Sequence, residues 1–142
     1  MRFKLCLCIV GVFLSASGCS KTPKSNPAAE QAAIDAAQKW LILVDLGQYS
    51  ESWEQAAEYF RNAISKDKWE KAMIAARVPL GAQMSRVVKS KQYTTSVPGA
   101  PDGQYVIIQF TTSFKNKGSA TETVTPMLDK DGSWRVSGYF IK

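Results

Sequence analysis

Apolar residues recur every three or four positions between residues 28 and 78, which is the spacing of amphipathic helices. The first helix is predicted over Ala28 to Leu46, with Gly47 as the residue that ends it. A second helix is predicted from about Ser50 to Ile64. A third is predicted from Ser65 to Arg77, because Pro79 disfavours helical geometry at the residue before it. This half of the chain is therefore expected to be helical.

Beyond Gly81 apolar and polar residues alternate, and Val, Ile, Thr, Tyr and Phe become frequent, which is typical of half-buried β-strands. Four strands are predicted, over Met84–Thr95, Gln104–Phe114, Ala120–Leu128 and Trp134–Ile141. Residues of one parity are expected to face the core: Val106, Ile108, Phe110 and Phe114 in the second strand, and Trp134, Val136 and Phe140 in the fourth.

The connections between these strands carry turn residues. Lys115 to Gly118 and the pair Asp131-Gly132 suit tight hairpins. Pro126 has no N–H for a ladder, so it is expected at an edge or a bulge. The order of elements predicts an α+β fold, with three N-terminal helices packed on one face of a four-stranded antiparallel meander sheet.

The first eighteen residues have the features of a secretory signal. Arg2 and Lys4 give a positive start, Leu5 to Leu14 is apolar, and Ser15 to Gly18 are small residues. The apolar stretch has about half of the ~20 residues that a membrane-spanning helix needs. We therefore expect the protein to be exported without a transmembrane helix.

The end of this signal, Gly18-Cys19, resembles the bacterial lipoprotein signal. The resemblance implies cleavage between these two residues, acylation of Cys19 and anchorage in a lipid bilayer. Because the residue after the cysteine is Ser20 and not aspartate, the resemblance also implies that the protein is sorted to the periplasmic face of the outer membrane. The expected organisation is a signal peptide over residues 1–18, the lipidated cysteine and a flexible tether over 19–28, and one globular domain over 29–142. The alternative is an ordinary secreted protein with a stray cysteine.

The composition narrows the chemistry that this domain can perform. The chain has 142 residues, with 18 Lys and Arg against 12 Asp and Glu, three Cys and no His. Without histidine it has no imidazole base, no Ser-His or Cys-His nucleophile and no ordinary His-containing zinc site. We expect no cofactor and no metal. Export and the lack of a nucleic-acid motif argue against nucleic acid as a partner.

Glu122 is a carboxylate at a position whose parity predicts burial, since it alternates with Ala120 and Val124 on the core side. A buried carboxylate must pair or become protonated. Arg86 in the first strand and Arg77 at the end of the third helix are the candidate partners. Two interpretations stay open. Glu122 is either part of a polar cluster at the floor of a pocket, or it has a structural place in a salt bridge or, after a slip of the pleat, in water.

Asp45, Tyr49 and Tyr139 form a second candidate group. In an enclosed pocket a carboxylate can act as a base while a tyrosine donates to an oxyanion. Asp45 also lies beside Gly47 at the predicted end of the first helix, so a local turn or cap is the structural alternative.

The connection between the first two strands has the residues of a candidate partner loop. It contains Pro98, Gly99, Pro101, Asp102 and Gly103, which restrict the backbone and add no bulky side chain. Loops of this kind can present a flat surface to a partner. The same residues are also typical of a simple turn.

Many short motifs in order resemble the bacterial family called domain of unknown function 4019. They are Trp40-Leu41, Asp45, Gly47-Gln48-Tyr49, Ser52-Trp53, Trp69, Arg77-Val78-Pro79-Leu80-Gly81, Ser85-Arg86, Tyr93-Thr94-Thr95, Pro98 to Tyr105, Glu122-Thr123 and Gly138-Tyr139-Phe140. The resemblance implies no activity, because the family has none assigned. The order of elements is also similar to the nuclear-transport-factor-two-like and cystatin-like folds, in which helices cover a curved sheet.

The sequence favours a binding or accessory module of the cell envelope without enzymatic activity. Its partner would be a small ligand, an envelope polymer or an envelope protein. An enzyme for proton transfer or hydrolysis, with Glu122 or Asp45 acting beside a tyrosine, is the first alternative. A purely structural envelope protein is the second.

Overall fold

Four helices precede four strands in the computed structural model, which describes residues 24–142. The helices are α1 (Pro27–Asp45), α2 (Tyr49–Glu54), α3 (Glu58–Ala63) and α4 (Lys66–Arg77), and a 3-10 turn (Val78–Leu80) follows α4. The strands are β1 (Gln83–Thr94), β2 (Tyr105–Phe114), β3 (Lys117–Leu128) and β4 (Trp134–Ile141). The predicted signal peptide, Cys19 and the first part of the tether lie outside the described residues.

The four strands form one antiparallel sheet in the order β1-β2-β3-β4, and the sheet is not closed. The helices pack on one of its faces, and α1 contacts all four strands. The predicted α+β class is confirmed. None of the helices in residues 24–142 combines the length and the apolar character needed to cross a membrane.

The core lies between α1 and the inner face of the sheet. Asn26 caps α1 by accepting a hydrogen bond from the N–H of Ala29, and Pro27 occupies the first turn, where its missing N–H costs nothing. One face of α1 and the inward parity of β2 are buried. The buried apolar residues on these elements are Ala33, Ile34, Ala37, Trp40, Leu41, Val44, Val106, Ile108, Phe110 and Phe114.

The second predicted helix is wrong as a single element, because the chain leaves helical geometry at Ala57, between α2 and α3. The backbone of Ala57 is extended, with φ −60° and ψ 149°. Its N–H donates to the carbonyl of Val136 in β4 at 2.8 Å. A hydrogen bond to a distant strand thus overrides the helical periodicity of this stretch.

The prediction that Phe140 faces the core is also wrong. Ser137 is an extra residue in β4, with none opposite it in β3. A bulge of this kind reverses the alternation of side chains beyond it. Val136, before the bulge, is buried, whereas Phe140 is 55% exposed and Tyr139 packs against the core. Pro126 of β3 lies opposite Val136 at this bulge, as the sequence predicts.

Candidate functional site

Glu122 is completely buried on the inner face of β3. Its Oε1 accepts a hydrogen bond from Nε of Arg86 at 2.8 Å and another from Oγ1 of Thr112 at 2.6 Å. Its Oε2 accepts a hydrogen bond from the hydroxyl of Tyr139 at 2.5 Å. Both carboxylate oxygens are therefore engaged by donors from three other strands.

Asp45, the last residue of α1, is the second carboxylate here. Arg86 donates to it through both terminal nitrogens, from Nη1 to Oδ2 at 2.7 Å and from Nη2 to Oδ1 at 2.9 Å. Arg77, at the end of α4, donates from Nη2 to Oδ1 at 2.9 Å. A negative charge at a helix C-terminus opposes the helix dipole, so these two cations are what stabilise Asp45 there.

These residues form one assembly, called the charge cluster: Asp45, Arg77, Arg86 and Glu122, with Thr112 and Tyr139 as neutral donors. The sheet register brings the strand residues together, since Arg86 lies opposite Thr112. Two positive and two negative groups balance, which is the condition under which buried charges are tolerated. The structure therefore brings together Glu122 and both arginines that the sequence offered as its partners.

The charges of the cluster alter the protonation of its members. Burial raises the pKa of Asp45, but hydrogen bonds from Arg86 and Arg77 outweigh burial and hold it below its ordinary value. Burial lowers the pKa of Arg86, and its hydrogen bonds to Asp45 and Glu122 outweigh that, so the pKa is raised. Burial and the neighbouring Glu122 both raise the pKa of Tyr139. At neutral pH the cluster thus holds a phenol and an ionised Asp45.

Within the described part of the chain, Arg77 is the member of the cluster with the most hydrogen-bond donors left without an acceptor. Its side chain is only 4% exposed, and its Nη1 lies 3.8 Å from Oε2 of Glu122. Nε and Nη1 have no hydrogen-bond partner among the described residues. The guanidinium carbon lies 4.7 Å from the centre of the Phe114 ring, which gives a cation–π contact in place of hydrogen bonds.

Of the second candidate group, Asp45, Tyr49 and Tyr139, the structure brings only two residues together. Asp45 and Tyr139 both belong to the charge cluster. Tyr49 begins α2 and packs partly buried against the core, where its carbonyl accepts a hydrogen bond from Ser52. The three residues therefore do not line one pocket as a set.

The predicted partner loop is held by two tyrosines. The hydroxyl of Tyr59 in α3 donates to the carbonyl of Gly99 at 2.7 Å, and that of Tyr105 donates to the carbonyl of Pro101 at 2.6 Å. The N–H of Gly103 bonds the carbonyl of Thr95 at 3.1 Å. The loop is therefore a turn held by hydrogen bonds, in which Pro98 and Asp102 are exposed. None of these bonds joins it to the charge cluster.

A layer of aromatic rings separates the charge cluster from the surface between α1 and α2. The ring of Tyr139 lies 5.5 Å from that of Trp40, which lies 6.0 Å from that of Trp69. Both indoles are fixed through Ser52. Nε1 of Trp40 donates to its carbonyl at 2.8 Å, and Nε1 of Trp69 donates to its hydroxyl at 3.0 Å.

On the other side of Trp40 an open cleft of about 590 Å³ lies between α1, α2 and β4. We call it the α1–β4 cleft. Its aromatic residues are Trp40 and the half-buried Trp134, and the polar residues around them include Lys39, Glu51, Gln55 and Arg135. The sequence did not predict this site, because the three elements that form it are distant along the chain. Trp134 was predicted as a core residue, and it packs half-buried against the core.

Arg135 is held in place at the edge of the cleft. Its two terminal nitrogens each lie 2.7 Å from one carboxylate oxygen of Asp131, and Nη1 lies 3.3 Å from Oδ2 of Asp129. Gln55 and Arg135 also line a second groove of about 400 Å³ beside the turn between β3 and β4. The α1–β4 cleft and this groove therefore adjoin at Gln55 and Arg135. In residues 24–142 no group of three His, Cys, Asp or Glu side chains is placed to hold a metal ion.

Comparison with known proteins gives one match. The model of a family described as a protein of unknown function (DUF4019) matches residues 36–139, which include every member of the charge cluster and most of the α1–β4 cleft. No curated protein and no solved structure matches the chain.

Proposed function

The chain belongs to the DUF4019 family of proteins of unknown function, and we propose that this member is a lipid-anchored binding module of the bacterial cell envelope. Its ligand site is the α1–β4 cleft, and its ligand is a glycan chain of an envelope polymer. The charge cluster stabilises the scaffold that holds the walls of the cleft in place.

The observation that carries the proposal is the combination of side chains in the α1–β4 cleft. Its volume lies in the range of about 300–1,000 Å³ that is typical of ligand sites. Trp134 offers an aromatic face that can pack on a sugar ring, while Gln55 and Arg135 offer planar hydrogen-bonding groups. This mixture suits a ligand with flat apolar faces and many hydroxyl or amide groups.

A polymer suits the site better than a small molecule does. The α1–β4 cleft is open to solvent, and Gln55 and Arg135 are shared with the neighbouring groove. A chain of linked rings could occupy both spaces at once, whereas an enclosed pocket would be expected for a small ligand.

An enzymatic role for Glu122 or Asp45 has less support than binding. Both oxygens of Glu122 accept hydrogen bonds within the fold, and its side chain has no exposed surface. Asp45 is ionised but is bonded to two arginines through the same oxygens that a base would use. A general base needs a free lone pair within reach of the substrate proton.

The anchor is the acylated Cys19, which lies outside the described residues. The support is the order of a positive start, an apolar stretch and small residues before the cysteine. From residue 19 to the start of α1 the chain can extend at most ~30 Å, so the domain would stay near the membrane surface. We propose the periplasmic face of the outer membrane, because Ser20 follows the cysteine.

The test of the anchor is Cys19→Ser in the full chain. The variant should leave the membrane fraction and appear in the soluble periplasmic fraction, because the acyl chains supply the binding energy. If it stays in the membrane fraction, the lipoprotein proposal is wrong.

The test of the cleft uses the soluble Cys19→Ser protein, with oligomers of N-acetylglucosamine followed by calorimetry and purified peptidoglycan followed by co-sedimentation. Trp134→Ala should weaken binding at least about tenfold, since losing an aromatic contact of about 1.4 kcal/mol has that effect. Phe140→Ala is the matched control, because this exposed aromatic lies on the same strand outside the cleft. Absence of binding to either probe, or equal losses in both variants, would contradict the proposal.

A further inference from the structure

β1 forms one edge of the sheet in the part of the chain that the structure describes. It runs for twelve residues, Gln83–Thr94, and β2 is its sole partner strand there. Among residues 24–142 no other element forms a backbone hydrogen bond with it. Bulges at Met84 and Lys89 divide β1 into two regular segments, residues 85–88 and 90–94, whose free peptide groups are a template on which another extended chain could pair.

The opposite edge of the sheet is shorter and partly covered. β4 has eight residues, and the segment between α2 and α3 crosses its edge, where Ala57 donates its N–H to Val136. Natural proteins usually keep free edges short, charged or covered. β4 is short and partly covered. β1 carries lysines and has bulges at Met84 and Lys89, but it is long, and no element within residues 24–142 pairs with its free side.

Large apolar side chains are exposed on β1. Met84 is 66% exposed and Val87 is 62% exposed. Val87 lies opposite the exposed Thr111 of β2, on the face of the sheet away from the helices. These side chains are available to pack against a chain that pairs with the edge.

The charges of β1 select the kind of chain that could pair with it. Within Gln83–Thr94 every charged residue is basic: Arg86, Lys89 and Lys91. Arg86 is neutralised by the charge cluster, but Lys89 is exposed and Lys91 is 44% exposed, 3.9 Å from Glu30. A second copy of β1 would bring like charges together, which is unfavourable between paired strands. A segment that carries Asp or Glu is complementary.

We propose that the free edge of β1 binds an extended acidic segment of a second protein, which adds to the sheet as a fifth strand. Main-chain hydrogen bonds supply the affinity in this mode of recognition, and side chains supply the selectivity. Acidic residues of the segment face Lys89 and Lys91, and apolar residues lie beside Met84 and Val87. This surface is separate from the α1–β4 cleft, so the two proposals can fail independently.

The test is site-specific photocrosslinking of the full chain in cells, with the crosslinker placed at Val87 or at Gln92. Both residues lie on the outer face of β1, opposite Thr111 and Ile107 of β2. Thr123 on β3, an interior strand, is the matched control. The expected crosslinks join both β1 positions to one acidic segment, at points about four or five residues apart, as strand pairing requires.

Three results would overturn the proposal. They are crosslinks to a second copy of this chain, crosslinks scattered over unrelated sequences, and yields at β1 no higher than at Thr123.

Charge reversal gives a second measurement. Lys89→Glu should lower the crosslink yield at least about fivefold, while Lys89→Arg keeps it. Lys115→Glu, at an exposed lysine in the turn between β2 and β3, should leave the yield unchanged, and equal loss in both reversals would also contradict the proposal.

Discussion

The hydroxyl of Tyr139 in β4 donates a hydrogen bond to Oε2 of Glu122 in β3, and the bulge at Ser137 makes this contact possible. Without the extra residue the alternation would point Tyr139 to the outer face and bring Phe140 inward. A buried carboxylate oxygen would then lose its donor, which costs about 1–3 kcal/mol or more for a charged group. The hydrogen bond from Tyr139 to the charge cluster therefore depends on the bulge.

Glu122→Gln should destabilise the protein by about 3 kcal/mol, because it leaves Arg86 and Arg77 as buried cations with one carboxylate between them. Urea unfolding of the Cys19→Ser protein would measure this loss. Glu51→Gln, an exposed carboxylate in α2, is the control and should change stability by less than about 0.5 kcal/mol. An equal loss in both variants would mean that Glu122 is not part of a structural cluster.

Stability should fall in acid through Asp45. The pKa of this carboxyl is lowered in the folded protein, so its contribution is present above the unfolded value of about 3.9 and is lost as pH falls through the folded value. Asp45→Asn removes that contribution. Below about pH 4 the free energy of unfolding should therefore change less with pH in this variant than in the unsubstituted protein. Parallel curves for the two proteins between about pH 6 and pH 2 would contradict the ionised Asp45 in the cluster.

Stability should also fall in alkali through Tyr139. The pKa of this phenol is raised, so the folded protein keeps its proton when the unfolded chain loses it, and stability declines above about pH 10. Absorbance titration should show fewer ionised tyrosines in the folded Cys19→Ser protein than in its denatured state at about pH 11, because burial raises the pKa values of both Tyr139 and Tyr105. In Tyr139→Phe that difference should shrink by one tyrosine.

Truncation of two phenylalanines to alanine should destabilise the protein by very different amounts. Phe110→Ala should cost about 3–5 kcal/mol, because the side chain is buried in the core and its loss leaves a cavity. Phe140→Ala should cost less than about 1 kcal/mol, since the bulge places it on the outer face. Thermal and urea unfolding would distinguish these values, and a large cost at Phe140 would contradict the register of β4.

Gly81→Ala should destabilise more than Gly47→Ala. Both glycines have positive φ, +74° and +72°, which L side chains rarely adopt. A Cβ at Gly81 would also meet Asn116 Nδ2 at 3.0 Å and Cβ of Lys115 at 3.2 Å, where the turn after β2 packs on the 3-10 turn that follows α4, whereas Gly47 has open space. The extra cost at Gly81 should be about 1 kcal/mol, measured by urea unfolding. Equal costs would show that the contact at Asn116 relaxes freely.

Most of the secondary structure could be predicted from local patterns. Helical spacing located α1 and α4, and alternation located all four strands, because these periods follow from the geometry of the backbone itself. The parity of Glu122 also predicted its burial, and Arg86 and Arg77 were its candidate partners. The failures at Ala57 and Phe140 have one cause: each is decided by hydrogen bonds or register between residues far apart in the chain.

The sequence by itself determined the α+β class, the inward carboxylate at Glu122 and the basic character of β1, because these depend on residue type and local period alone. The tertiary structure decided that Asp45 and Tyr139 share one cluster with Glu122. It also decided that Trp134 lines the α1–β4 cleft and that the free side of β1 carries exposed apolar residues. These outcomes depend on which elements pack together and in which register, and the spacing of residues along one element does not specify that.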